Sequence, residues 1–123
     1  MKTSKIAKSK LLSPRLIYTA MTILQEMGGE LSAREVIEEV ESRVQLDDWA
    51  KHRHERTGQI RWKTILSFMT LYSTKVGYLI KKRRMWYLTA EGEVALKLGE
   101  SSFDLAVENG YRDWKLNKSQ KKA

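Results

Sequence analysis

The chain has 123 residues, no cysteine, 41% hydrophobic and 31% charged side chains, and a formal net charge of +8. That length suits one domain with a real core, and the missing cysteines exclude disulfides and thiolate metal sites. No apolar run approaches the roughly 20 residues of a membrane span, so nucleic acid rather than membrane is the expected partner of the positive charge.

The charge is polarised along the chain. Residues 1–15 hold Lys2, Lys5, Lys8, Lys10 and Arg15 without an acid, and residues 1–13 are read as a basic, flexible arm. This acid-free start has some transit-peptide character, but Pro14 and Arg15 interrupt the apolar run of a signal peptide. A cytoplasmic protein, nucleoid-associated if prokaryotic, is expected. Residues 30–48 set seven acids against Arg34 and Arg43, whereas residues 51–63 and 75–84 are again basic. The segment 115–123 reads as a solvated, flexible lysine-rich tail, which leaves 14–114 as the folded domain.

A first helix is predicted to start at Ser13-Pro14, with Ser as cap and Pro in the first turn. Leu16, Ile17, Ala20, Ile23, Leu24 and Met27 form its core stripe, and Gly28-Gly29 ends it. In "ELSAREVIEEV" Ser32 and Glu35 make a capping box for a second helix. Its buried side is Val36, Ile37, Val40 and Val44, and its outer face is acidic. "QLDDWAKHRHERTGQ" has no period and is predicted as loop with about one helical turn.

A third helix follows over about 59–75, with Trp62, Ile65, Leu66, Met69, Tyr72 and Val76 inside. Lys63, Ser67, Thr70 and Thr74 mark its polar side, Phe68 and Leu71 are assigned to the core in preference to stacking on or packing against a base, and Gly77 closes it. Tyr78–Ile80 and Met85–Leu88 read as a hairpin with Lys82-Arg83-Arg84 at its turn. Thr89 caps a further helix, and a last amphipathic piece covers 102–114, with Gly110 as a candidate break. The order is that of an α+β, mainly helical fold: a winged helix-turn-helix with a two-stranded wing and extra C-terminal helices. In that fold the third helix enters a major groove and the hairpin lies beside it.

"RW", "VGYL" and "KKRRMWYLTAEGEVALKL", together with the earlier "GGELSAREVIEEV", resemble the N-terminal winged-helix domain of Mrr-type restriction systems. The resemblance covers about 14–98, with a looser match at "AVENGYRDW". It implies a DNA-targeting module, often fused to a nuclease or a nucleotide-driven motor, and some members act on modified DNA. No nuclease segment follows in this chain, so cleavage is not carried over and a fused or separate nuclease partner is left open, as is a homodimer.

The expected double-stranded DNA contacts are Arg53, Arg56, Thr57, Gln59, Arg61, Lys63, Ser67, Thr70, Lys81, Lys82, Arg83 and Arg84. Lysine and arginine suit phosphates; Gln59, Ser67 and Thr70 suit base edges or backbone. A solvated turn is the competing reading of the wing charges. Trp49 either stacks on a base or packs against the end of the second helix. His52, His54 and Glu55 supply at most three ligands at awkward spacing, so no metal or cofactor is expected. No nucleophile elbow or phosphate-cradling glycine loop is present, and "DWK" at 113–115 lacks a partner acid. The domain alone is therefore not expected to be an enzyme. A protein-docking winged helix using the acidic second helix, and an RNA-binding module, are the competing functions.

Overall fold

The computed structural model describes residues 5–122, with side chains over 8–119. The elements in order are α1 (Lys5–Glu26), β1 (Glu30–Ser32), α2 (Ala33–Arg43), α3 (Asp48–Lys51), α4 (Arg61–Val76), β2 (Leu79–Lys82), β3 (Met85–Leu88), α5 (Ala90–Leu96) and α6 (Glu100–Lys122). The described residues form six helices and one three-stranded antiparallel sheet of order β1-β3-β2, which meets α1, α2 and α4. This is the expected mainly helical α+β, winged-helix-like arrangement.

α1 is the central helix. Leu16, Ile17, Ala20, Met21, Ile23 and Leu24 are all fully buried and meet α2, α4 and α6. It starts at Lys5, upstream of the predicted Ser13-Pro14 start, and residues 1–4 of the expected arm lie outside the described residues. Pro14 donates no N–H to the turn before it, which makes it resemble a helix start. The preceding turns are nevertheless held by Leu12 on the core and by Lys8, 5.8 Å from the Trp49 ring centroid. Met27, predicted inside, is exposed because the helix ends at Glu26; Gly29 N–H closes the turn on the Leu24 carbonyl at 2.7 Å.

Local signals set α2 and α3. Ser32 Oγ accepts from Glu35 N–H at 3.2 Å, so the expected N-cap is formed, but it also donates to Glu35 Oε1 at 2.9 Å, so the Glu35 carboxylate takes the hydroxyl in place of the Ser32 N–H that a full capping box uses. Asp47 Oδ1 caps the single turn of α3 through Ala50 N–H at 2.8 Å. β1 joins the hairpin by pairing Leu31 with Trp86.

α4 buries Trp62, Leu66, Met69 and Ser73 on one stripe, with Ile65, Tyr72 and Val76 half-buried beside it. Gly77 ends the helix in the left-handed region at φ 92°, as a C-terminal glycine does. Thr89 Oγ1 accepts from Gly92 N–H at 3.0 Å and donates to the Gly77 carbonyl at 2.7 Å. One hydroxyl thus caps α5 and fastens it to the end of α4.

α6 runs unbroken through Gly110, where a break was a candidate, and through most of the expected tail. A Cβ on Gly110 would sit 2.8 Å from Val76 Cγ1, so the glycine permits helix–helix contact rather than a stop.

Candidate nucleic-acid interface

Residues 52–61 form a tight loop that delivers the chain to α4. Arg53 and Ile60 bridge across it, and His54 N–H donates to the Gln59 carbonyl at 2.8 Å. Arg53 Nη1 donates to the Gly58 carbonyl at 2.6 Å, which fixes that guanidinium at the loop edge. Ile60 caps α4 without a side-chain acceptor, so the positive end of the helix adds to the nearby cations.

Arg53, Gln59, Lys63, Ser67 and Lys81 line an open concavity of about 710 Å³ with Thr64, Phe68 and Leu71. Lys63 also borders a second concavity of about 690 Å³, shared with Arg84 of the wing and Arg34 and Glu38 of α2. The cations of 53–63 and of 81–84, distant in sequence, therefore meet around Lys63. Among the described residues the ion pairs involve Arg34 and Arg43, both on α2. Arg53, Lys63, Lys81 and Arg84 have no carboxylate partner among the described residues, whereas Arg34 beside them is paired with Glu38.

The wing is tied down from below. Lys81 Nζ donates to Thr70 Oγ1 at 2.6 Å and lies 5.0 Å from the Trp86 ring centroid. Although the side chain as a whole is exposed, its ammonium is sheltered, and burial pushes its pKa down. Lys82 pairs with Met85, leaving Arg83 and Arg84 as a two-residue turn with φ 51° and 69°. Such a turn suits Asn-Gly, because both residues sit at positive φ. Two arginines there cost about 1 kcal/mol or more each. Ala33 N–H pins the turn to α2 through the Arg84 carbonyl at 2.9 Å.

The predicted residues divide accordingly. Arg53, Gln59, Lys63, Ser67 and Lys81 share one concavity, and Arg84 shares the next with Lys63. Arg56, Lys82 and Arg83 are exposed and line neither. Thr57 and Arg61 border a smaller hollow of about 270 Å³ with His52, His54 and Gln59. Gln59 Oε1 accepts from Thr64 Oγ1 at 3.3 Å.

Thr70, expected on the exposed polar side, is fully buried. Its hydroxyl donates to the Ser67 carbonyl at 2.9 Å and takes the Lys81 hydrogen bond, because β2 covers that side of α4. Trp49 is half-buried against the core, its ring 4.7 Å from the Arg61 guanidinium, whose Nη1 donates to the Trp49 carbonyl at 3.1 Å. Arg61 is thereby drawn against the Trp49 ring, with Lys8 also over it.

Phe68 and Leu71, assigned to the core by their side chains, are 53% and 42% exposed and line the larger concavity. The spacing signal was available: both fall outside the Trp62, Leu66, Met69, Ser73 stripe. The face combines unpaired cations, two short polar side chains and two apolar ones.

α4 with a basic hairpin tethered to it gives the winged-helix-like arrangement. Residues 14–98 match the family model described as the Mrr N-terminal domain, and the chain belongs to that family. The family associates it with Mrr-type restriction systems, as an N-terminal domain rather than a catalytic one. No curated protein and no solved structure matches it. Among the described residues, no helix is long and apolar enough to cross a membrane.

Proposed function

We propose that this domain binds double-stranded DNA and acts as the target-recognition part of an Mrr-type restriction system. The observation that carries the reading is Lys63, which borders both the α4 concavity holding Lys81 and the concavity holding Arg84. Like charges held close repel by about 1 kcal/mol per pair in water at 4 Å. A polyanion laid over them reverses that sign.

In this reading the first half of α4 lies in the major groove. Gln59 and Ser67 approach base edges, and Phe68 and Leu71 supply apolar contact. Arg53, Lys63 and the wing arginines take phosphates on either side. Of the α2 acids, Glu38 borders the Lys63–Arg84 concavity and is neutralised there by Arg34 at 3.1 Å. Strand cleavage falls to a separate or fused nuclease.

If about six phosphates are neutralised, affinity falls by about three orders of magnitude between 50 and 200 mM salt. Fluorescence anisotropy with labelled duplex over that range tests this, with single-stranded DNA and RNA as competitors. A flat salt response, or stronger competition by single strands, contradicts the reading. A docking module would instead lose its partner on charge reversal at Glu38 or Glu41 and be indifferent to the wing.

A further inference from the structure

We infer that α4 and α6 together carry a second phosphate-contacting strip, which grips the same duplex farther along its backbone. The inference rests on the duplex-binding reading above. Thr64, Phe68, Leu71 and Lys75 follow one another at steps of four, three and four, so they share one face of α4. The first three line the larger concavity. Lys75 lies about 16 Å beyond Thr64 along the helix axis, at 1.5 Å per residue.

α6 crosses α4 at this end. The Tyr72 and Tyr111 ring centroids are 4.2 Å apart, and Tyr111 stacks on Trp114 at 5.8 Å with 19° between the planes. Three ammonium groups are held over these rings. Lys75 and Lys118 lie 4.9 and 5.0 Å from the Trp114 centroid, and Lys115 lies 5.6 Å from that of Tyr111. The lysines and the two α6 rings line a hollow of about 440 Å³.

The rings are half-buried and already covered by lysines, so they are poor platforms for a stacked base. What the strip offers is a cluster of three cations held by cation–π contact on two adjoining rings. Such a cluster suits backbone phosphates, and Lys75 links it to the groove along the shared α4 face. Duplex phosphate is therefore favoured over an acidic protein segment.

The test is the salt dependence of duplex affinity for the full chain and for K75Q/K115Q/K118Q. With three fewer phosphates neutralised, at about 0.9 each, the slope of log K against log salt becomes shallower by about 2.7. Replacing the same three lysines by arginine, which keeps charge and ring contact, restores the slope. If the triple glutamine variant fails to fold by circular dichroism, Lys118→Gln alone should still lower the slope by about 0.9. An unchanged slope in a folded variant, beside a steep wild-type slope, overturns this inference and leaves the groove reading intact. A flat wild-type slope overturns both.

Discussion

Lys81 on the wing donates a hydrogen bond to Thr70 inside α4 across 2.6 Å, joining the two elements of the candidate interface. Thr70→Val keeps the shape and removes the acceptor. Stability should fall by about 1 kcal/mol in urea denaturation, and amide exchange should quicken in β2. Lys81 also has a pH signature. Its folded pKa lies below the ordinary 10.5, so in that window the unfolded chain binds more protons. The Lys81 contribution to stability therefore rises with pH through the window. Lys81→Met should abolish that rise, read as the difference between wild-type and variant curves.

The Arg83-Arg84 turn sets stability against binding. Both residues occupy positive φ, where an Asn-Gly pair fits without strain. Arg83→Asn with Arg84→Gly should raise stability by about 1–2 kcal/mol, while weakening duplex binding at low salt. Thermal melts and anisotropy on the same preparation check both directions. A variant that is neither more stable nor weaker in binding contradicts the account of the turn.

Asp104 is buried on α6, and its Oδ1 has no hydrogen-bond partner. Burial, followed by the nearby Glu108 and Glu100 charges, pushes its pKa up to about 6. A raised folded pKa means its stabilising contribution is full below the unfolded value of 3.8 and is lost as pH climbs through about 6. Asp104→Asn should stabilise the protein at pH 7 and leave it unchanged near pH 4. A two-unit shift is worth about 3 kcal/mol unscreened. Solvent screening and the amide's own missing partner reduce the expected gain to about 1 kcal/mol.

Gly110→Ala tests how α6 meets α4. Alanine is the better helix former by about 1 kcal/mol, yet its Cβ would meet Val76 Cγ1 and Cγ2 at 2.8 and 2.9 Å. Val76 is branched at Cβ and has little rotamer freedom to give way. A net loss of about 1–2 kcal/mol is expected, measured by chemical denaturation; a gain contradicts the close packing.

What was legible in the sequence was local. The Ser32 cap, the Gly77 stop and the Thr89 cap each depend on neighbours within a few residues, and each is formed. What was not legible depends on partners remote in sequence. Pro14 and Gly110 look like boundaries, but helices pass through both: Lys8 and Leu12 hold the turns before Pro14, and Gly110 gives Val76 room to approach. Thr70 reads as a wet polar residue until β2 is laid over it. β2 itself extends to Lys82 rather than stopping at Ile80, because the two-residue turn draws Lys81 and Lys82 into the ladder. Tyr111, Trp114, Lys115 and Lys118 stand at i, i+3, i+4 and i+7, a helical stripe visible in the sequence and lost by reading its end as a tail.

Charge reversal on each element decides whether α4 and the wing hold one duplex together. Duplex affinity at low salt should be measured for Lys63→Glu and for Arg83→Glu with Arg84→Glu. The account predicts that each variant weakens binding to unrelated duplex sequences alike, with a reduced salt slope in both. Loss confined to one of the two elements, or to neither, would contradict it.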